Sequence, residues 1–129
     1  MIESDLKSSL SAITAMPVFP LLLPKDAQEG ITFQRISDPR YSAGMVTTHL
    51  IVARFQISIH VLNDYGKALL LDKAIRDAWE PIQHGYIGNY PVQIVQRGGF
   101  QQEREELTNN TVRWSVMRDF IITYPEDAV

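Results

Sequence analysis

The chain has 129 residues, no cysteine and a formal net charge of −3, from 12 basic and 15 acidic side chains. That length suits one domain with a core large enough to need no disulfide or metal staple. The missing cysteines exclude disulfides, thiolate zinc sites and cysteine nucleophiles, and the slightly acidic balance argues against affinity built on a strongly basic surface.

The opening segment, MIESDLKSSL, reads as the start of a short helix, because Leu6, Leu10 and Ile13 fall on one face. Ser4 or Asp5 is the expected cap, and Pro17 stops the helix by pushing Met16 out of the helical region. Glu3 and Asp5 stand where a secretory signal would be basic. The apolar stretch 16–23 is interrupted by Pro17 and Pro20, and it is far shorter than the ~20 residues a membrane helix needs. A soluble chain made in the cytoplasm, with no membrane partner, is the expectation. Residues 18–23 read as a linker or an edge strand.

Residues 31–37 alternate, with Ile31, Phe33 and Arg35 on one side and Thr32, Gln34 and Ile36 on the other, which predicts a strand. Asp38-Pro39 ends it, and a polar connection runs through residues 38–48. Residues 47–61 carry the strongest signal. Ile51, Phe55, Ile57, Ile59 and Val61 repeat with a period of two and predict a long strand with one buried face. Asn63-Asp64 then offers a cap for a helix over 65–81, where Ala68, Leu71, Ile75, Ala78 and Trp79 form the apolar face. Lys67, Asp72, Lys73, Arg76 and Asp77 are placed on the opposite side, and Pro81 ends the helix.

Residues 84–89 read as a glycine-containing loop, and 92–97 as a strand ended by Gly98-Gly99. Residues 101–110 form a polar connection that turns at Asn109-Asn110, taken as a turn and not as a glycosylation site. The last strand, 112–124, aligns Val112, Trp114, Val116, Phe120, Ile122 and Tyr124 on one face, with Arg118 among them. Residues 125–129 form a short acidic tail. The expected architecture is a single α+β domain over 1–129, its N-terminal helix lying within 1–17. In it, two helices pack on one face of a largely antiparallel sheet of four to five strands.

Signals for catalysis are missing. Gly85-Tyr86-Ile87-Gly88 and Gly98-Gly99 lack the lysine and strand–loop–helix setting of a phosphate loop, and no nucleophile elbow is present. His49 and His60 fall on opposite faces of one strand and His84 lies elsewhere, so no metal or cofactor is expected. Glu103, Glu105 and Glu106 read as a solvated hairpin. Arg35, Arg54, Arg113 and Arg118 sit on strands. They form either cross-strand ion pairs, for example with Asp119, or a partner-facing surface. The long connections 38–48 and 101–110 exceed ordinary hairpin loops and are either flexible tips or partner contacts. The candidate interface thus comprises Arg54, Arg113 and Arg118 on strands, Arg40, Tyr41 and Met45 in the first connection, and Arg97, Phe100 and Arg104 around the second.

Taken together, ITFQRISD (31–38), ARFQISIHVLNDYGKALLLDKAIRDAW (53–79) and MRDFIITY (117–124) resemble small tail-completion proteins of long-tailed bacteriophages, tail terminators included. The resemblance spans roughly residues 18–124 and rests on element order and spacing, not on any single motif. It implies a non-enzymatic ring, typically hexameric, at the head-proximal end of the tail tube. Implied partners are further copies of itself, the tail-tube protein and a head-completion or connector protein. DNA would meet it only in passing through the lumen, where a near-neutral wall does not retain phosphates. Its expected location is the host cytoplasm during assembly and the virion neck afterwards. The competing expectation is a small enzyme or ligand-binding domain whose pocket gathers His60, Arg54 and Asp119 between sheet and helix.

Overall fold

The computed structural model describes residues 1–43 and 46–126, without the side chains of 42–48. The chain runs α1 (Ile2–Thr14), β1 (Val18–Pro20), β2 (Gly30–Ser37), β3 (Arg40–Ala43), β4 (Val46–Leu62), α2 (Tyr65–Trp79), β5 (Gln83–Ile87), β6 (Tyr90–Glu106) and β7 (Val112–Pro125). One curled sheet holds all seven strands in the order β1-β2-β4-β7-β6-β5, with β3 added to β4. β1 runs parallel to β2 and every other pairing is antiparallel. The expected α+β domain with a four-to-five-strand antiparallel sheet is therefore wrong. About half of the chain is strand, the sheet is mixed, and the fold is mostly β.

The extra strands come from segments with no hydrophobic alternation of their own. The expected loop at 84–89 is mostly β5, which pairs with the start of β6 through a turn at Gly88-Asn89. Gly88 has φ of 59°, and a Cβ there would lie 2.9 Å from Asp5 Oδ1. That same oxygen accepts the Asn89 N–H at 3.0 Å, so Asp5 fastens the turn to α1 instead of capping the helix. Ser4 does not cap it either; its hydroxyl donates to the Met1 carbonyl. β3 converts most of the expected connection at 38–48 into a hairpin with β4.

Gly98-Gly99 does not end β6. Arg97 pairs with Phe120 and Phe100 with Arg118, so two glycines face the single residue Asp119 in a bulge. Beyond it β6 continues to Glu106, which leaves a true loop of only 107–111. Asn109 and Asn110 turn it with φ of 63° and 60°, a left-handed conformation that asparagine tolerates.

The core lies between the two helices and one face of the sheet. β4 and β7 are paired from Leu50–Pro125 to Leu62–Arg113 and supply Phe55, Ile57, Ile59, Val116, Phe120 and Ile122, all nearly inaccessible. α1 adds Ile2, Leu6 and Leu10, and α2 adds Ala68, Ile75 and Trp79. Trp79 packs edge-on to Phe120 with centroids 5.2 Å apart and donates its indole N–H to Ser9 Oγ, so it ties both helices to the sheet. Asp64 caps α2 by accepting the Lys67 N–H at 2.9 Å. Asp72, expected on the polar face of α2, is instead buried.

Candidate assembly surface

β5 covers β6 only as far as Ile94. From residue 96 to 106 the outer edge of β6 has no pairing strand among the described residues, while its inner edge is bonded to β7. This half of β6 is an edge arm of the sheet, backed by β7 and through it by β4, with a row of unpaired backbone groups, the template on which a second strand can add. Gln101 to Glu106 are all exposed and polar, which guards the edge against indiscriminate pairing.

The arm is held stiffly on its helix-facing side. Tyr65, at the start of α2, contacts Trp114 with centroids 5.0 Å apart and donates its hydroxyl to Gln102 Oε1. The Arg104 guanidinium lies over Trp114 and that of Arg118 over Phe100, at 5.6 and 4.4 Å.

The opposite face of the sheet carries no helix. Its curl forms a polar trough of about 830 Å³, floored by Thr32, Gln34, Gln56, Ser58 and His60. One wall is residues 21–25 with Ala27 and Gln28, and the other is Glu106, Leu107, Thr108 and Arg113. Leu22 on that first wall is 80% exposed. Leu21 before it has φ of 67° and sits inside an i to i+2 hydrogen bond, Leu22 N–H to Pro20 carbonyl at 2.8 Å. A γ-turn of this hand is rare for a residue with a side chain.

His60 bridges three strands across the floor of the trough. Its Nδ1 lies 2.8 Å from Ser115 Oγ on β7, and its Nε2 lies 3.2 Å from Thr32 Oγ1 on β2. A serine beside a histidine invites a nucleophilic reading. Burial, helped by the nearby Arg113 cation and opposed by Glu105, holds the imidazole pKa down at about 4. Such a ring is a weak base at neutral pH, and it acts here as a neutral cross-strand hydrogen-bonding group.

The structure separates the residues proposed for an enzyme-like pocket. His60 lines the trough, whereas Asp119 lines a smaller depression with Phe100 and Met117. Asp119 pairs across β4 with Gln56, four residues before His60. Arg54 donates to Asp119 at 3.1 Å. Among the described residues, neither the trough nor the smaller depression gathers the three.

Most of the expected interface arginines are paired within the chain. Arg97 makes two hydrogen bonds to Glu80, Arg104 one to Glu106, Arg113 one to Glu105, and Arg40 lies 3.6 Å from Glu126. Arg118 is no surface residue. It is buried and bonded to Asp72 by Nε and Nη2 at 2.9 and 3.0 Å. Tyr41 and Phe100 are exposed, and Met45 lies outside the described residues. Reading by residue type missed Leu21, Leu22 and the Thr32–His60–Ser115 bridge. An apolar run between prolines was the available signal for the leucines, whereas the bridge depends on register across three strands.

No family model matches the sequence, and no curated protein matches it either. Solved structures do match in fold. One chain, known only by a serial designation, superposes with a TM-score of 0.50 at 14% identity, covering 94% of this chain and 89% of that one. That likeness concerns the fold alone. No helix among the described residues is long and apolar enough to cross a membrane.

Proposed function

We propose that this protein is a non-enzymatic structural subunit that completes or terminates the tail tube of a long-tailed bacteriophage and helps build the head–tail junction. It works as a ring of copies, with the tail-tube protein and a head-completion or connector protein as neighbours. The support from sequence is the order of ITFQRISD, the long strand with its helix, and MRDFIITY.

The observation that carries the reading is the open outer edge of β6 over residues 96–106. A ring closes through a heterologous contact repeated by rotation. An arm braced by Trp114 and Tyr65, with its edge unpaired, suits such a contact. The intramolecular pairing of Arg54, Arg97, Arg104 and Arg113 leaves little unpaired positive charge to retain DNA in transit.

The test is light scattering of the purified chain, followed by electron microscopy with tail-tube protein. A ring, alone or on tube ends, with tubes of bounded length is the expected result. A chain that stays monomeric and neither binds nor caps tubes would sink the reading.

A further inference from the structure

The sheet ends in two unlike borders. On one side β1 pairs only with β2, and on the other β6 from residue 96 onward pairs only with β7. The pairings set these borders at the same height. Pro20, Phe33, Ile57, Arg118 and Phe100 form one row across five strands, and Phe19, Thr32, Ser58, Met117 and Gln101 form the next. The same pairings make β6 run opposite to β1. Rotation about an axis along the strands therefore brings the β6 edge of one copy antiparallel to β1 of the next, with no shift along the strands.

Backbone pairing at such a junction is short. The Pro17 carbonyl and the Leu21 N–H are spent on β2, at 2.8 and 2.9 Å, so alternation turns the N–H and carbonyl of Val18 outward. Pro20 has no N–H, and its carbonyl accepts from Leu22. Side chains carry most of the contact.

The side chains of the two borders match. On the helix-facing side, Pro20 is exposed and Phe100 is 42% exposed, at opposite ends of one row. On the open side, the γ-turn at Leu21 lifts Leu22 out beside Pro20, an apolar rim left exposed in its own copy.

Charge matches as well. On the β6 border Arg97, Arg104, Glu105 and Glu106 all enter ion pairs within the chain, whereas Glu103 is exposed and enters none among the described residues. Glu103 pairs across the sheet with Ser115, the residue bonded to His60, and so belongs to the open side. On the β1 border Lys25 lines the trough on that same side and is likewise outside every ion pair described. Its neighbour Asp26 does not line the trough, and Glu29 accepts the Leu62 N–H.

We infer that the head-to-tail contact between copies joins these two borders: Phe100 of one copy packs on Pro20 of the next, and Glu103 of the first faces Lys25 of the second. The inference rests on the ring reading and names the surface that receives the β6 edge.

The test is light scattering of the full chain at low salt, where exposed charges are least screened. Lys25→Glu and Glu103→Lys each set like charges against each other and weaken self-association about tenfold, with the thermal midpoint unchanged. Mixed one to one, the two variants regain the wild-type mass, because every junction of an alternating assembly again joins unlike charges. The chain has no cysteine, so Pro20→Cys and Phe100→Cys can be mixed and oxidised without competing thiols. The mixture forms disulfide-linked pairs faster than either variant alone.

Single variants that associate like wild type overturn this contact and leave the ring reading standing. So do weakened variants whose mixture is not restored, or cysteine variants that link to themselves as fast as to each other. A restored mixture that stops at dimers shows a two-fold contact and overturns the head-to-tail arrangement. A wild-type chain that stays monomeric, alone and with tail-tube protein, overturns the ring reading and this contact together.

Discussion

Arg118 of β7 reaches Asp72 of α2 through two hydrogen bonds, at 2.9 and 3.0 Å, in a part of the molecule almost closed to water. Arg76 adds a third bond to the same carboxylate at 3.0 Å, and Phe100 covers the Arg118 guanidinium. The pair fixes the helix to the sheet at the root of the β6–β7 arm.

Removing one member leaves the other charged and buried. Asp72→Ala is expected to cost about 3–5 kcal/mol in urea unfolding, and Arg118→Ala less, because Arg76 still meets the carboxylate. The double variant Asp72→Leu with Arg118→Met should be more stable than either single change, because no buried charge is left uncompensated and Arg76, which loses its partner, is partly exposed to water. A double variant no better than the singles would show that packing and not charge dominates here.

Gly98 and Gly99 form one bulge but should respond differently. A Cβ at Gly98 would stand 2.8 Å from Arg54 Nη1, 2.9 Å from Asp119 Cβ and 3.1 Å from the Asp119 carbonyl oxygen. At Gly99 its nearest neighbour is Asp119 Oδ2 at 3.5 Å, an ordinary contact. Gly98→Ala therefore forces backbone movement and should cost about 1–3 kcal/mol, while Gly99→Ala should leave the thermal midpoint close to wild type.

His60 makes stability depend on pH. Its folded pKa of about 4 lies below the ordinary 6.5, so between these values the unfolded chain binds the proton and the folded one does not. Stability contributed by neutral His60 is complete above pH 6.5, falls as pH drops towards 4, and levels off below that. The loss should be on the order of 2 kcal/mol after allowance for partial solvent access. His60→Gln removes this component. The difference between the two pH profiles isolates it from the carboxylates that titrate in the lower part of the same range.

The arm can be probed by proline. Along β6, successive N–H groups point alternately toward β7 and toward the open edge. Single prolines at positions 101 to 105 should therefore alternate in effect. Where the N–H faces β7, proline removes a ladder bond and lowers the thermal midpoint. Where it faces outward, the fold survives and self-assembly, read by light scattering, is lost. Assembly that survives the outward-facing prolines would place the ring contact elsewhere.

The legible parts of this fold were those with a hydrophobic period. β4, β7 and α2 each bury one face, and a buried face writes its repeat into the sequence. Asp72 was misplaced although its position was readable. It lies four residues after Ala68 and three before Ile75, within the core stripe, and only its charge argued for the outside. In sequence, residues 101–106 resemble loop because exposed strand has no apolar repeat to show, and Gly98-Gly99 resembles a terminus because a bulge and a turn use the same residue.

The opening numbers stand where they were: 129 residues, no cysteine, a net charge of −3. By itself the sequence determined the ordinary globular composition, the helices, the two long central strands, and the absence of thiol chemistry. The tertiary structure decided which charges are neutralised internally, that β3 and β5 exist, and that Pro20 and Phe100 end one row at opposite borders of the sheet. The physical reason is range. Periodicity records how a segment meets the core, whereas ion pairs, edge pairing and matching borders depend on register between segments that no local pattern contains.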